Sequence, residues 1–136
     1  MPAHPNACPC GRTDRRSHVL HYVLCCGRYL DHFDTVPAPD AESLMRSRYT
    51  AYVREREDYL VATWHPATRP AAVTFDADVR WLGLDVRTRR VIDDAHAEVE
   101  FVARQRDATG LAHRLHEKSR FEREGERWFY RDGDTL

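Results

Sequence analysis

The sequence predicts an α+β fold, with N-terminal helices packed on one face of an antiparallel four-stranded sheet and a small cysteine-bearing head in front. Three observations predict it. Apolar residues recur at helical spacing up to about residue 64 and at alternate positions from residue 79 onward. Short polar turns separate the later segments. All four cysteines, Cys8, Cys10, Cys25 and Cys26, lie in the first 26 residues.

Residues 1–36 form the head, and residues 37–136 the α+β domain. Val36-Pro37-Ala38-Pro39 is a stiff joint between them, because each proline restricts its neighbour. Asp40 reads as an N-cap. Ala41, Leu44, Met45, Tyr49, Tyr52 and Val53 then recur at helical spacing, which predicts an amphipathic helix over 40–54. A shorter helix is expected over 57–64, with Leu60, Val61 and Trp64 apolar, ending at His65-Pro66. Residues 67–72 read as loop.

Four strands follow. Residues 79–91 place Leu82, Leu84 and Val86 on one face, and 96–106 place Ala97, Val99, Phe101 and Ala103 on one face. Residues 111–123 place Leu111, His113, Leu115, Glu117, Ser119 and Phe121 together, and 126–131 turn Trp128 and Tyr130 inward. Turns at 93–94, 107–110 and 124–125 make the strands an antiparallel meander.

Composition narrows the function. With 42% hydrophobic and 32% charged residues among 136, the chain has enough apolar side chains for a packed core. A net charge of −1 excludes a polycation, so nucleic acid is not the expected partner. Arginine outnumbers lysine 20 to 1 along the whole chain, which reads as composition rather than as a binding surface. Arg12, Arg15 and Arg16 still make a local basic patch in the head. No apolar run approaches the roughly 18 residues of a membrane span, and Met1 to Arg16 has no apolar signal region. A cytoplasmic protein without a membrane partner is the expectation.

The cysteines read C-x-C-x14-C-C. A disulfide needs an oxidising compartment, and one between the neighbours Cys25 and Cys26 is strained. Four thiolates suit tetrahedral zinc, so one structural zinc ion held by Cys8, Cys10, Cys25 and Cys26 is the leading reading. An iron–sulfur cluster, copper, or redox-active or plain thiols are the alternatives. His4, His18, His21 and His32 flank the cluster and are read as exposed or supporting groups. A site closed by four protein ligands has no open position for catalysis; its task is to fold a segment too small for its own core.

Cys8-Pro-Cys10-Gly11 and Tyr22-x-x-Cys25-Cys26-Gly27 resemble the SEC-C zinc motif, found at the end of the bacterial preprotein translocase ATPase. The stretch from Pro37 to Tyr52 resembles the opening helix of the YchJ family. So do Thr63-Trp-His-Pro66, Trp81-Leu-Gly-Leu84 and the closing Glu117-x-Ser119-x-Phe121…Gly125…Trp128-x-Tyr130-x-Asp132-Gly133. The resemblance covers nearly the whole chain. It implies a small bacterial protein of unknown function, with a SEC-C head and an NTF2-like (cystatin-like) domain whose curved sheet wraps helices and often encloses a pocket. The 14-residue loop from Gly11 to Leu24 is longer than the motif's usual one; an insertion there lengthens a loop and leaves the four ligands in place.

Arg48, His113 and Glu117 interrupt apolar faces, and a buried charge needs a partner. The expectation is an Arg48–Glu117 ion pair between helix and sheet. An NTF2-like cone lined by Tyr49, Tyr52, Trp64, His65, Trp81, His113, Glu117 and Trp128 is the sharper alternative, with Arg48, His65, His113 and Glu117 as its pocket candidates. No nucleophile elbow, phosphate loop or metalloprotease motif occurs, so the reading leans away from an enzyme. The leading function is therefore a zinc-stapled module that binds another protein. A small-molecule or catalytic pocket comes second, and thiol redox or metal handling third. A homodimer is compatible with an NTF2-like sheet.

Overall fold

In the computed structural model, which describes residues 6–136, helix α1 spans Gly27–Leu30, α2 Ala41–Val53 and α3 Glu57–Ala62. Strands β1 (Arg80–Asp93), β2 (His96–Arg106), β3 (Ala112–Glu124) and β4 (Arg127–Thr135) form one antiparallel sheet in sequence order. Helices therefore precede a four-stranded meander, as the change of period predicts. Among the described residues, no helix is long and apolar enough to cross a membrane.

Helix α2 is the centre of the molecule. Asp40 caps it, its side chain accepting from Ser43 N at 2.7 Å. The expected amphipathic stripe is wider than predicted, since almost every residue from Ala41 to Ala51 is buried. The reason is that three surfaces meet the helix. Met45 and Tyr49 point toward the sheet side, where Tyr49 meets Trp81 edge-on with ring centres 5.5 Å apart. Ser47 hydrogen-bonds Tyr59 of α3 at 2.7 Å. Arg46 donates to the carbonyl of Cys10 at 2.9 Å, and Arg12 donates to Ser43 at 2.9 Å, so the head covers the remaining side.

The long head loop folds as its own small hairpin. Ala7 pairs with His21 and Thr13 with Val19, and Asp14 Oδ1 accepts from the backbone N–H groups of Arg16 and His18 at the turn. Head residues join the same continuous core as the helices and sheet. Arg56 Nη2 reaches Leu30 O at 3.0 Å, and Arg127 Nη2 donates to Phe33 O at 2.6 Å.

Two details of the sheet depart from the predicted faces. A bulge between Trp81 and Gly83 inserts Leu82 as an extra residue. It resets the alternation, so Trp81 joins Leu84 and Val86 on the core side while Leu82 is exposed. The other addition lies beyond β4. Residues 63–65 run parallel to it, with His65 N donating to Tyr130 O at 2.7 Å and Tyr130 N donating to Thr63 O at 2.9 Å. The segment after α3 thereby covers an edge that would otherwise present unpaired backbone groups. β4 also runs on to Thr135, four residues past the predicted end.

Candidate metal centre and ligand cavity

The four cysteines meet at one point. Their sulfurs all lie within 4.8 Å of one another, all four side chains are buried, and none is in a disulfide. Cys10 Sγ and Cys25 Sγ are 3.6 Å apart. A tetrahedron with metal–sulfur bonds of about 2.3 Å has edges of about 3.8 Å, so the donor set fits a tetrahedral thiolate site. Thiol hydrogen bonds, from Cys10 first, hold Cys8 below the ordinary thiol range, and those from Cys25 do the same for Cys10. The same cluster, Cys10 foremost, pushes Cys25 and Cys26 up. Thiolates this close repel, so all four ionise together only around a cation.

Local backbone sets this geometry. Cys8 N donates to Leu20 O at 2.8 Å, which ties the C-x-C turn to the hairpin. Gly27 allows the second pair to approach: a Cβ there would stand 2.7 Å from both the Tyr22 ring and the Tyr22 carbonyl oxygen. Arg54, which follows the last residue of α2, covers that ring, its guanidinium carbon 3.8 Å from the centre. Thr50 of α2 brings its hydroxyl to 3.7 Å from Cys8 Sγ.

A second site lies on the other side of α2. A cavity of about 260 Å³ opens between the helix and the face of the sheet that packs against it, with largely apolar walls. Arg48 enters it from α2 and is only 6% exposed. Its Nη1 donates to Leu60 O at 2.8 Å and to Thr63 Oγ1 at 2.7 Å. Its guanidinium carbon lies 4.9 Å from the Trp64 ring centre and 4.7 Å from that of Tyr130. Burial pushes its pKa down to about 10, which still leaves it cationic at neutral pH. Glu117 enters from β3 and accepts from Ser119 Oγ at 2.5 Å. Gly133 of β4 makes room for it, since a Cβ there would sit 2.6 Å from Glu117 Cδ. Burial pushes the Tyr49 and Tyr130 hydroxyls each up to about 12, so both stay neutral.

Comparison with known proteins places this arrangement. The family model described as "YchJ, middle NTF2-like domain" matches residues 40–133. The chain belongs to the YchJ family. Relatives named UPF0225 protein, from Polaromonas sp. strain JS666 and Polaromonas naphthalenivorans strain CJ2, are each 61% identical to it. They cover 94% and 95% of this chain, and 92% and 97% of their own lengths. The solution structure of a SEC-C motif containing protein from Rhodopseudomonas palustris superposes with a TM-score of 0.78 at 32% identity, covering 96% of this chain and 98% of that one. A crystal structure of a SEC-C motif containing protein from Psychrobacter arcticus gives 0.77 at 29%, covering 94% and 81%. The YchJ-family domain is thus NTF2-like: helices on a four-stranded antiparallel sheet, with four cysteines clustered ahead of it.

Within this YchJ-family fold the predicted site residues divide. Cys8, Cys10, Cys25 and Cys26 come together, while His18, His21 and His32 are exposed and outside the cluster. His4 lies outside the described residues. Arg48, Glu117, Tyr49, Tyr52, Trp64 and Trp81 line the cavity. His113 does not. It lies on the expected face but beyond the end of the cavity, exposed, with Nε2 2.7 Å from Asp107 Oδ2. His65 is buried but turned away, 2.7 Å from Glu124 Oε1 and 3.1 Å from Glu122 Oε2. Its Nδ1 accepts from Ala67 N at 3.1 Å, which leaves Nε2 to donate to the two carboxylates, and the trio clasps residue 65 to the β3–β4 hairpin. Trp128 packs into the core outside the cavity wall.

The expected Arg48–Glu117 ion pair is absent: among the described residues Arg48 has no carboxylate within 4.0 Å. The carbonyl at the end of α3, the Thr63 hydroxyl and two rings take the place of the carboxylate, while Ser119 holds Glu117. Ser119, Tyr130 and Gly133 are site residues that the sequence reading left unassigned. The signal for Tyr130 was its inward parity with Trp128. Gly133 gave none, because its role depends on a cross-strand neighbour.

Proposed function

We propose that this YchJ-family protein binds a small molecule in its NTF2-like cavity, and that one structural zinc ion held by Cys8, Cys10, Cys25 and Cys26 fixes the wall that carries Arg48. The observation that carries the reading is Arg48 itself. A cation this buried, with no carboxylate within 4.0 Å although Glu117 lines the same cavity, suits a site completed from outside the chain. Zinc supports it indirectly. The head touches α2 through Arg12, Arg46 and Thr50, so a metal that orders the head also holds the helix that presents Arg48. Bound zinc supplies folding energy there, and with four protein ligands it leaves no open coordination position.

Native mass spectrometry of protein purified without chelator tests both parts. One zinc per chain with a retained organic adduct is expected. A chain lacking metal, its mass lowered by paired thiols, would overturn the zinc reading. A zinc-loaded chain that retains no adduct and takes up no small apolar probe such as toluene would overturn the cavity reading.

A second reading, a head that docks a protein partner, is favoured by one observation. Val23 and Leu24, immediately before Cys25, are 68% and 65% exposed. It predicts that replacing both by serine abolishes capture of that partner while leaving zinc content unchanged.

A further inference from the structure

We infer that the cavity takes a small organic monocarboxylate with an apolar, ring-sized body, its carboxylate lying against Arg48 and Trp64. This rests on the reading that the cavity is a ligand site, and it names the chemistry that the site selects.

Two neighbouring donors on the cavity wall are left without acceptors. Among the described residues, Trp64 Nε1 is the one buried side-chain nitrogen or oxygen with no hydrogen-bond partner. An indole N–H only donates. Arg48 spends Nη1 on two neutral oxygens, and no acceptor among the described residues takes Nη2 or Nε. The two side chains are in contact, the guanidinium carbon standing 4.9 Å from the Trp64 ring centre, and both line the cavity. A buried cation and a buried N–H donor side by side call for an acceptor that brings a negative charge. An ionised carboxylate only accepts, and its two oxygens match the fork of a guanidinium.

The rest of the cavity sets the body of the ligand. Met45, Tyr49, Trp81 and Phe101 give it apolar and aromatic walls. Its volume of about 260 Å³ exceeds the roughly 150 Å³ that accommodates benzene and falls below the roughly 300 Å³ at which drug-sized pockets begin. One ring with a short acidic arm is the matching size. Glu117 sets a limit on charge. Its carboxylate is held by Ser119 and repels a second negative group, so a dicarboxylate is disfavoured.

The experiment titrates phenylacetate, its neutral isostere phenylacetamide, toluene and inorganic phosphate into the zinc-loaded full-length chain. Tryptophan fluorescence and the NMR signal of the Trp64 indole N–H report binding. Phenylacetate is expected to bind about tenfold or more tighter than the amide and to shift that signal downfield. Trp64→Phe keeps the ring and removes the donor, and is expected to weaken phenylacetate about tenfold while leaving toluene unchanged. Arg48→Met is expected to abolish the preference for acid over amide; should that variant fail to fold, Trp64→Phe carries the test alone. Toluene binding without phenylacetate binding, equal binding of acid and amide, or tighter binding of phosphate would each overturn the carboxylate assignment and leave the cavity reading standing. Binding of none of the four would overturn both.

Discussion

The hydroxyl of Thr50 stands 3.7 Å from Cys8 Sγ, with its side chain fully buried on the helix that also carries Arg48. A hydroxyl there donates to a thiolate once the sulfur is ionised, and with the proposed zinc bound to Cys8 it would tune that ligand without being one. Thr50→Val keeps the shape and removes the donor. Zinc affinity, measured by competition with a chelator, is expected to fall about tenfold to a hundredfold at unchanged stoichiometry. The same residue shows what a sequence pattern omits. The cysteine cluster was legible from spacing, because four thiols at one end of a chain point to one site. Thr50 lies 42 positions from Cys8 and has no local mark. Arg48 was legible as a charge out of place on an apolar face, but its partners were not, since they are a backbone carbonyl, the Thr63 hydroxyl and two rings that only the fold brings together.

At the scale of elements, the order of helices and strands could be read from periodicity, and most ends fall within two residues of expectation; β4 is the exception. The faces were less legible wherever a bulge intervenes. Leu82 was expected inside and is exposed, because the extra residue between Trp81 and Gly83 shifts the alternation by one. On β3 the parity was correct, yet the cavity ends at Leu115 and leaves His113 in solvent. Pattern gives a face, and only topology says how far the covering layer reaches. The β3–β4 pair offers a direct test. Gly133 lies opposite Ser119, and the Glu117 carboxyl folds into the space a side chain would occupy. Gly133→Ala is expected to cost about 1–3 kcal/mol by overpacking. Glu117→Ala should remove most of that cost. Denaturant unfolding of the two single variants and the double variant should therefore show a coupling of about 1 kcal/mol or more, and additive effects would contradict the geometry.

At the scale of the whole molecule, Glu42 joins three parts of the chain. Its buried carboxylate meets Arg89 of β1, Arg46 of α2 at 2.7 Å, and Arg12 of the head at 3.8 Å. Burial works against its ionisation, but Arg89, Arg46 and Arg12 outweigh burial and hold its pKa below the ordinary value of 4.5. In the window below 4.5 the unfolded chain therefore binds more protons at this position than the folded one, so stability there rises with pH. The contribution of Glu42 is fully present above the unfolded value and is lost as pH falls through the lower, folded value. Glu42→Gln removes the charge and leaves three arginines facing a neutral amide. The variant is expected to be less stable at pH 7 by about 1–3 kcal/mol. The gap to the parent protein should close as pH is lowered below the ordinary value of 4.5. Any metal held by the four thiols would be lost in acid from both proteins alike, so the gap isolates Glu42 from the thiolates. Thermal unfolding of the two proteins across that range is the measurement, and a gap that stayed constant with pH would mean that Glu42 does not hold head, helix and sheet together through its charge.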